Sequence, residues 1–179
     1  IDYVNAQGGG TVVLEGDDTR YGRRYVATRL QLKDNVELRI EKGAILWQSP
    51  READYDYDVL RGHDMSIRGI NWTHIFLCHN YPLILASEQK NVKVTGGGTI
   101  RMNDAGGENL DGYDGSSIWT GCECRIHIVP MAFYRCDGVE VSDITVLRAN
   151  SYLMSLTGSH NVYVGNLHER ETTCASGDG

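Results

Sequence analysis

A seven-residue unit occurs twice in the last third of the chain. Gly138-Val139-Glu140-Val141-Ser142-Asp143-Ile144 is followed, 23 residues on, by Asn161-Val162-Tyr163-Val164-Gly165-Asn166-Leu167. In both, apolar residues alternate with polar or wet ones, the two-residue period of a half-buried strand. Two earlier stretches share the core of the unit, Asn35-Val36-Glu37-Leu38 and Asn91-Val92-Lys93-Val94. In each copy the two apolar residues are expected to face inward and the third residue, as in Glu37, Lys93 and Glu140, to face outward. The Asn or Gly that opens each copy tolerates the left-handed backbone of a tight corner. A recurring strand unit of this kind, with Gly and Asn but no helical period, predicts an all-β chain folded as a right-handed parallel β-helix. An ordinary β-sandwich also alternates, but it gives no reason for one unit to return.

Taken in order, residues 1–10 read as a short helix closed by Gly8-Gly9-Gly10, and 11–15 as a strand. Residues 16–25 are charged and polar, which suggests a hairpin or loop. The alternation over 30–40 reads as one strand, and 44–47 and 83–87 as others. The pattern lapses near 50–75 and again near 102–124, which predicts two loop insertions in a single domain spanning 1–179. Gly is abundant, at 21 residues, and Pro scarce, at 3, so tight turns are available and few ladder hydrogen bonds are lost. The net charge of −7 comes without a basic cluster, which argues against a nucleic-acid partner. No apolar run is long enough to span a bilayer. Cysteines stand at 78, 122, 124, 136 and 174. Cys122-Glu123-Cys124 is one residue short of the usual zinc spacing and has no second pair, so no metal site is expected. The set reads as buried thiols, with one bridge left open.

Several of these stretches also carry a resemblance. Gly8-Gly9-Gly10-Thr11-Val12-Val13-Leu14, Leu32-Lys33-Asp34-Asn35-Val36-Glu37-Leu38 and Glu41-Lys42-Gly43-Ala44-Ile45-Leu46 resemble the opening of polygalacturonase-like enzymes of glycoside hydrolase family 28. Asn91-Val92 through Gly98-Thr99-Ile100, and Phe133-Tyr134-Arg135-Cys136-Asp137-Gly138-Val139, are similar to that family's later coils. The order of these short motifs is more specific than any one of them. The resemblance implies a pectin lyase-like solenoid. It also implies a glycosidase of pectin-type polysaccharide that works with carboxylates and water and needs no cofactor.

The family carries Asn-Thr-Asp-Gly in the next coil, and its Asp is catalytic. Here the position reads Ser176-Gly177-Asp178-Gly179, which makes Asp178 the candidate on the general-base side. Taken without the resemblance, Asp178 is a turn aspartate beside two glycines. The family's later motifs lie beyond residue 179. The sequence is therefore expected to be an internal, truncated piece lacking its C-terminal coils, inactive alone and prone to associate through an open strand edge. Counting back one coil places Tyr152 under Asp178, where a tyrosine can stack on a sugar ring or simply pack outward. Trp119 and Trp72, with Asp111 and His63, are candidate groove walls supplied by the insertions. The expected partner is a polysaccharide or oligosaccharide substrate, and the expected location extracellular or periplasmic. A polysaccharide lyase and a non-catalytic glycan-binding protein are the alternatives, since fold alone does not settle function.

Overall fold

The structure, a computed structural model, describes residues 1–49, 54, 82–102, 129–149 and 153–171. A short helix, α1 (Asp2–Ala6), is followed by strands β1 (Gly10–Leu14), β2 (Arg23–Ala27), β3 (Leu30–Gln31), β4 (Val36–Ile40) and β5 (Ala44–Gln48). Then come β6 (Ile84–Ser87), β7 (Lys90–Thr95), β8 (Thr99–Arg101), β9 (Met131–Tyr134), β10 (Asp137–Leu147), β11 (Met154–Thr157) and β12 (His160–Arg170). Two local expectations change. Residues 23–27 form a strand that begins inside the 16–25 stretch read as a hairpin or loop. The single strand expected over 30–40 is divided into β3 and β4, because Asn35 turns the chain at φ 58°.

Turns of this kind recur in columns. Asn35, Asn91, Gly138 and Asn161 all have positive φ; Asn35 stands just before β4, and the others are the second residues of β7, β10 and β12. Asparagine is among the few residues that enter the left-handed region readily. Its amide also ties the column together. Asn91 Nδ2 donates to Asn35 Oδ1 at 3.0 Å, and Asn161 Nδ2 to Asp137 Oδ1 at 2.7 Å. Gly138 interrupts the column because a Cβ there would stand 2.8 Å from Asn91 Oδ1. A second column pairs Asp143 (φ 58°) with Asn166 (φ 49°), joined by a 2.9 Å hydrogen bond from Asn166 Nδ2 to Asp143 Oδ1.

All strand pairs are parallel. Val36–Ile40 pairs with β1 on one side and β7 on the other, and β10 pairs with β7, β8 and β12. The register Val139↔Val162 reproduces the 23-residue offset read from the sequence. The sheet order is β1-β4-β7-β10-β8-β5-β2, with β12 on β10, and a separate sheet runs β11-β9-β6-β3.

This topology corrects the expected right-handed parallel β-helix, the truncated pectin lyase-like solenoid. Its strands would sort onto separate faces. Instead, Asp143 bends β10 without ending it, so the ladders before and after the bend remain one eight-stranded sheet. The result is an all-β arrangement of parallel strands in a nearly closed, barrel-like sheet, with one short helix among the described residues.

One core fills the space between the two sheets. Leu38, Ile40, Leu46, Val92, Val94, Ile100, Val139, Val141, Ile144 and Val146 of the large sheet meet Ile84, Ala86, Met131 and Phe133 of the small one. The small sheet is apolar on its other face too. Leu85, Ala132 and Tyr134 alternate with the residues just named and gather with Val129 in a second buried cluster. Val36, Val92 and Val139 are buried as expected, but Val162 is not: it is 36% exposed. Among the described residues no strand lies beyond β12 to cover it. Met102, at the edge of the second expected insertion, is fully buried, and its amide donates to Leu147 O. The remainder of that insertion, at 103–124, and residues 50–75 apart from Asp54 lie outside the described residues.

The corner column generates a stability test. Asn91→Ala is expected to cost about 1–2 kcal/mol, because alanine pays for the left-handed backbone at φ 51°. Asn91→Gly removes the same amide bond without that penalty and should cost about half as much. Urea unfolding of the two variants decides it. Equal losses would place the cost in the side-chain bond and not in the backbone.

Candidate functional site

The third residue of each recurring unit faces out from the large sheet, and register brings these residues into one line. Thr11 of β1 stands beside Glu37 of β4, Glu37 beside Lys93 of β7, Lys93 beside Glu140 of β10, and Glu140 beside Tyr163 of β12. The row crosses five strands, about 19 Å at a spacing of about 4.8 Å per strand. Arg39 and Thr95, two residues further along β4 and β7, form a shorter second row beside it. Between them lies an open groove of about 350 Å³ lined by Thr11, Glu37, Arg39, Lys93, Thr95 and Glu140.

Glu37 is the most constrained group in the groove. Its Oε1 accepts from Thr95 Oγ1 at 2.6 Å, and its Oε2 from Thr11 Oγ1 at 2.8 Å. Arg39 adds a forked contact, Nε to Oε1 and Nη2 to Oε2, each at 3.1 Å. Partial burial alone would raise this carboxyl. The bonds from Thr95, Thr11 and Arg39 outweigh that effect and hold it below the ordinary carboxylate value. Lys93 Nζ donates to Glu140 Oε2 at 2.7 Å, and this bond raises the lysine above its ordinary value. Ser142 Oγ reaches the other Glu140 oxygen at 3.3 Å.

Glu37 and Glu140 lie two strands apart, roughly 10 Å along the sheet. Two carboxyl groups at about 6.5–9.5 Å can cleave a glycosidic bond, provided one of them carries a proton to give. Glu37 is held ionised, the opposite of what a general acid requires, and Glu140 is committed to the Lys93 ammonium. The groove therefore suits binding and not acid–base chemistry. Among the described residues no group of three or more His, Cys, Asp or Glu side chains is placed to hold a metal. Nor is any helix among them long and apolar enough to cross a membrane.

The sequence candidates fall elsewhere. Asp178, Tyr152, Trp119 and Trp72 all lie outside the described residues, as do Asp111, His63 and every cysteine except Cys136. That one is a buried free thiol, raised by its burial. His160 opens β12 in an exposed position, its amide donating to Cys136 O at 2.8 Å. The sequence places Glu37, Lys93 and Glu140 at the same outward position of the recurring unit, with no functional role assigned to them. The signal that joins them was present in the third residue of four aligned units.

No sequence family matches the chain, and no curated protein does. Among solved structures the chain is similar to a crystal structure from Parabacteroides merdae ATCC 43184, a protein provisionally assigned as a glycosyl hydrolase. The match has a TM-score of 0.65 at 21% sequence identity and covers 98% of this chain. It covers 66% of the other protein, so this chain spans just under two thirds of that length. At this identity the likeness shows a shared fold.

The bonds to Glu37 make its contribution to stability dependent on pH. Its depressed value means that the unfolded chain binds the proton more readily. The stabilisation is complete above the ordinary value of 4.5 and is lost as pH falls through the lower folded value. Thr95→Val should move Glu37 back toward 4.5 and cost about 1 kcal/mol at neutral pH. The difference from wild type should shrink in acid. Thermal melts across pH, with an NMR titration of the Glu37 carboxyl, check both parts.

Proposed function

We propose that this chain belongs to a glycoside hydrolase that acts on a pectin-type polysaccharide in the manner of the polygalacturonase-like enzymes of family 28. The observation that carries the reading is the shared fold with the Parabacteroides merdae protein over 98% of this chain. The ordered motifs from Gly8-Gly9-Gly10 to Ser176-Gly177-Asp178-Gly179 support it. In this reading Asp178 assists the attacking water, and a second carboxyl protonates the leaving oxygen. Tyr152, Trp119 and Trp72 contact the sugar, and the protein works outside the cytoplasm, in the extracellular space or periplasm. Carboxylates and water suffice for the reaction, with no cofactor.

The groove at Glu37 and Glu140 is not the catalytic centre in this proposal, because it offers no proton donor. The test therefore falls on Asp178. In the intact protein, Asp178→Asn preserves shape and removes the base, so kcat on polygalacturonate should fall by about 10²–10⁴. Substrate affinity and melting temperature should hold. Reducing ends without unsaturated, ultraviolet-absorbing products would distinguish hydrolysis from elimination. A kcat near wild type would leave Asp178 as a turn residue and remove the mechanism.

A further inference from the structure

The geometry points to a second, non-catalytic binding surface on the outer face of the large sheet, where Tyr163 and the row Glu140–Lys93–Glu37 take a neutral, hydroxyl-rich oligosaccharide. Tyr163 is 61% exposed although it sits within an eleven-residue strand. Its ring leans along β12 over Gly165, with its hydroxyl only 2.5 Å from where a Cβ of residue 165 would stand. A glycine two residues on, on the same face, thus gives the ring a place to lie against the sheet. An aromatic ring held in this way offers a sugar an apolar face at little cost in conformational freedom.

The other aromatic rings of the described strands differ: Phe133 is in the core, and Tyr25 of β2 donates its hydroxyl to Glu15 O at 3.0 Å. Trp47 of β5 has guanidinium groups over it, Arg24 at 5.2 Å and Arg101 at 4.8 Å from its ring centre. Tyr134 is buried, with Arg135 at 4.9 Å. Tyr163 has no such cation partner among the described residues, and it alone stands in line with the polar row.

The row supplies hydrogen bonds of both kinds at fixed spacing. The Lys93 ammonium uses one donor on Glu140 and retains two. The Glu140 carboxylate, with one bond on each oxygen, keeps lone pairs that sugar hydroxyls can reach, whereas Glu37 is filled by its four bonds and serves to fix the end of the row. All these groups rise from strands tied by parallel ladders, so little ordering is left for the ligand to pay. Charge decides the class of ligand. Lys93 is matched by Glu140, and Arg39 by Glu37 at 3.1 Å. With two cations and two carboxylates paired, the row offers a polyanion no net attraction. A neutral glycan needs none. This surface is independent of the hydrolysis proposed above and would stand if that reading failed.

Titration calorimetry of the intact protein with a hexamer of β-1,4-linked galactose, and separately with a hexamer of galacturonic acid, tests the assignment. The neutral hexamer should bind wild type. Tyr163→Phe should retain that binding, and Tyr163→Ala should weaken it about fivefold to tenfold. Gly165→Ala keeps the tyrosine but pushes its ring aside, and should weaken binding to a similar extent. Absence of binding by wild type would overturn the proposal. So would wild-type affinity in Tyr163→Ala or in Gly165→Ala, or tighter binding of the galacturonate hexamer that depends on Tyr163.

Discussion

The left-handed corner is the constraint on which this structure depends. A chain that lays strand on strand in parallel must turn sharply at the same place each time. Few L-residues adopt that backbone cheaply. Asn35, Asn91 and Asn161 do so, and their amides then bridge to the residue of the neighbouring strand, so the turn and the register are set by one side chain. With the corner fixed, the alternation of each strand sends Val, Leu and Ile to the core and the intervening residue to solvent. The core and the outer row are two consequences of the same corner.

Much of this was legible in the sequence. The recurring unit gave the strands at 36–40, 92–95, 139–142 and 162–165, their parallel sense and the burial of Val36, Val92 and Val139. Closure of the sheet was not legible. It depends on whether Asp143 ends a strand or only bends it, and an aspartate in a polar corner is compatible with either. The exposure of Val162 was hidden for a related reason, since alternation tells which way a side chain points and not whether anything lies over it. The outward positions were legible, but not the bonds made there, because those depend on Thr11, Arg39 and Thr95 lying beside Glu37 in register. The catalytic candidates rested on resemblance at Asp178 and on single aromatic residues, and these lie outside the described part of the chain.

The two faces of the molecule are chemically unlike. The small sheet is apolar on both sides, with Leu85, Ala132 and Tyr134 buried opposite Ile84, Ala86 and Phe133. The large sheet is apolar inside and wears charge outside, where Glu37 with Arg39 and Lys93 with Glu140 form compensated pairs. Charge paired in this way leaves little net field on the face, and any partner must replace each internal bond that it breaks.

β10 has a further meaning for how such a chain can change over time. It is hydrogen-bonded to β7 and β8 on either side of Asp143 and to β12 along its length. A one-residue insertion between these two ladders would put them out of step and break the continuous register with β12. Length variation among descendants of this chain should therefore accumulate in the connections and spare β10, which acts as the ruler against which its neighbours are aligned.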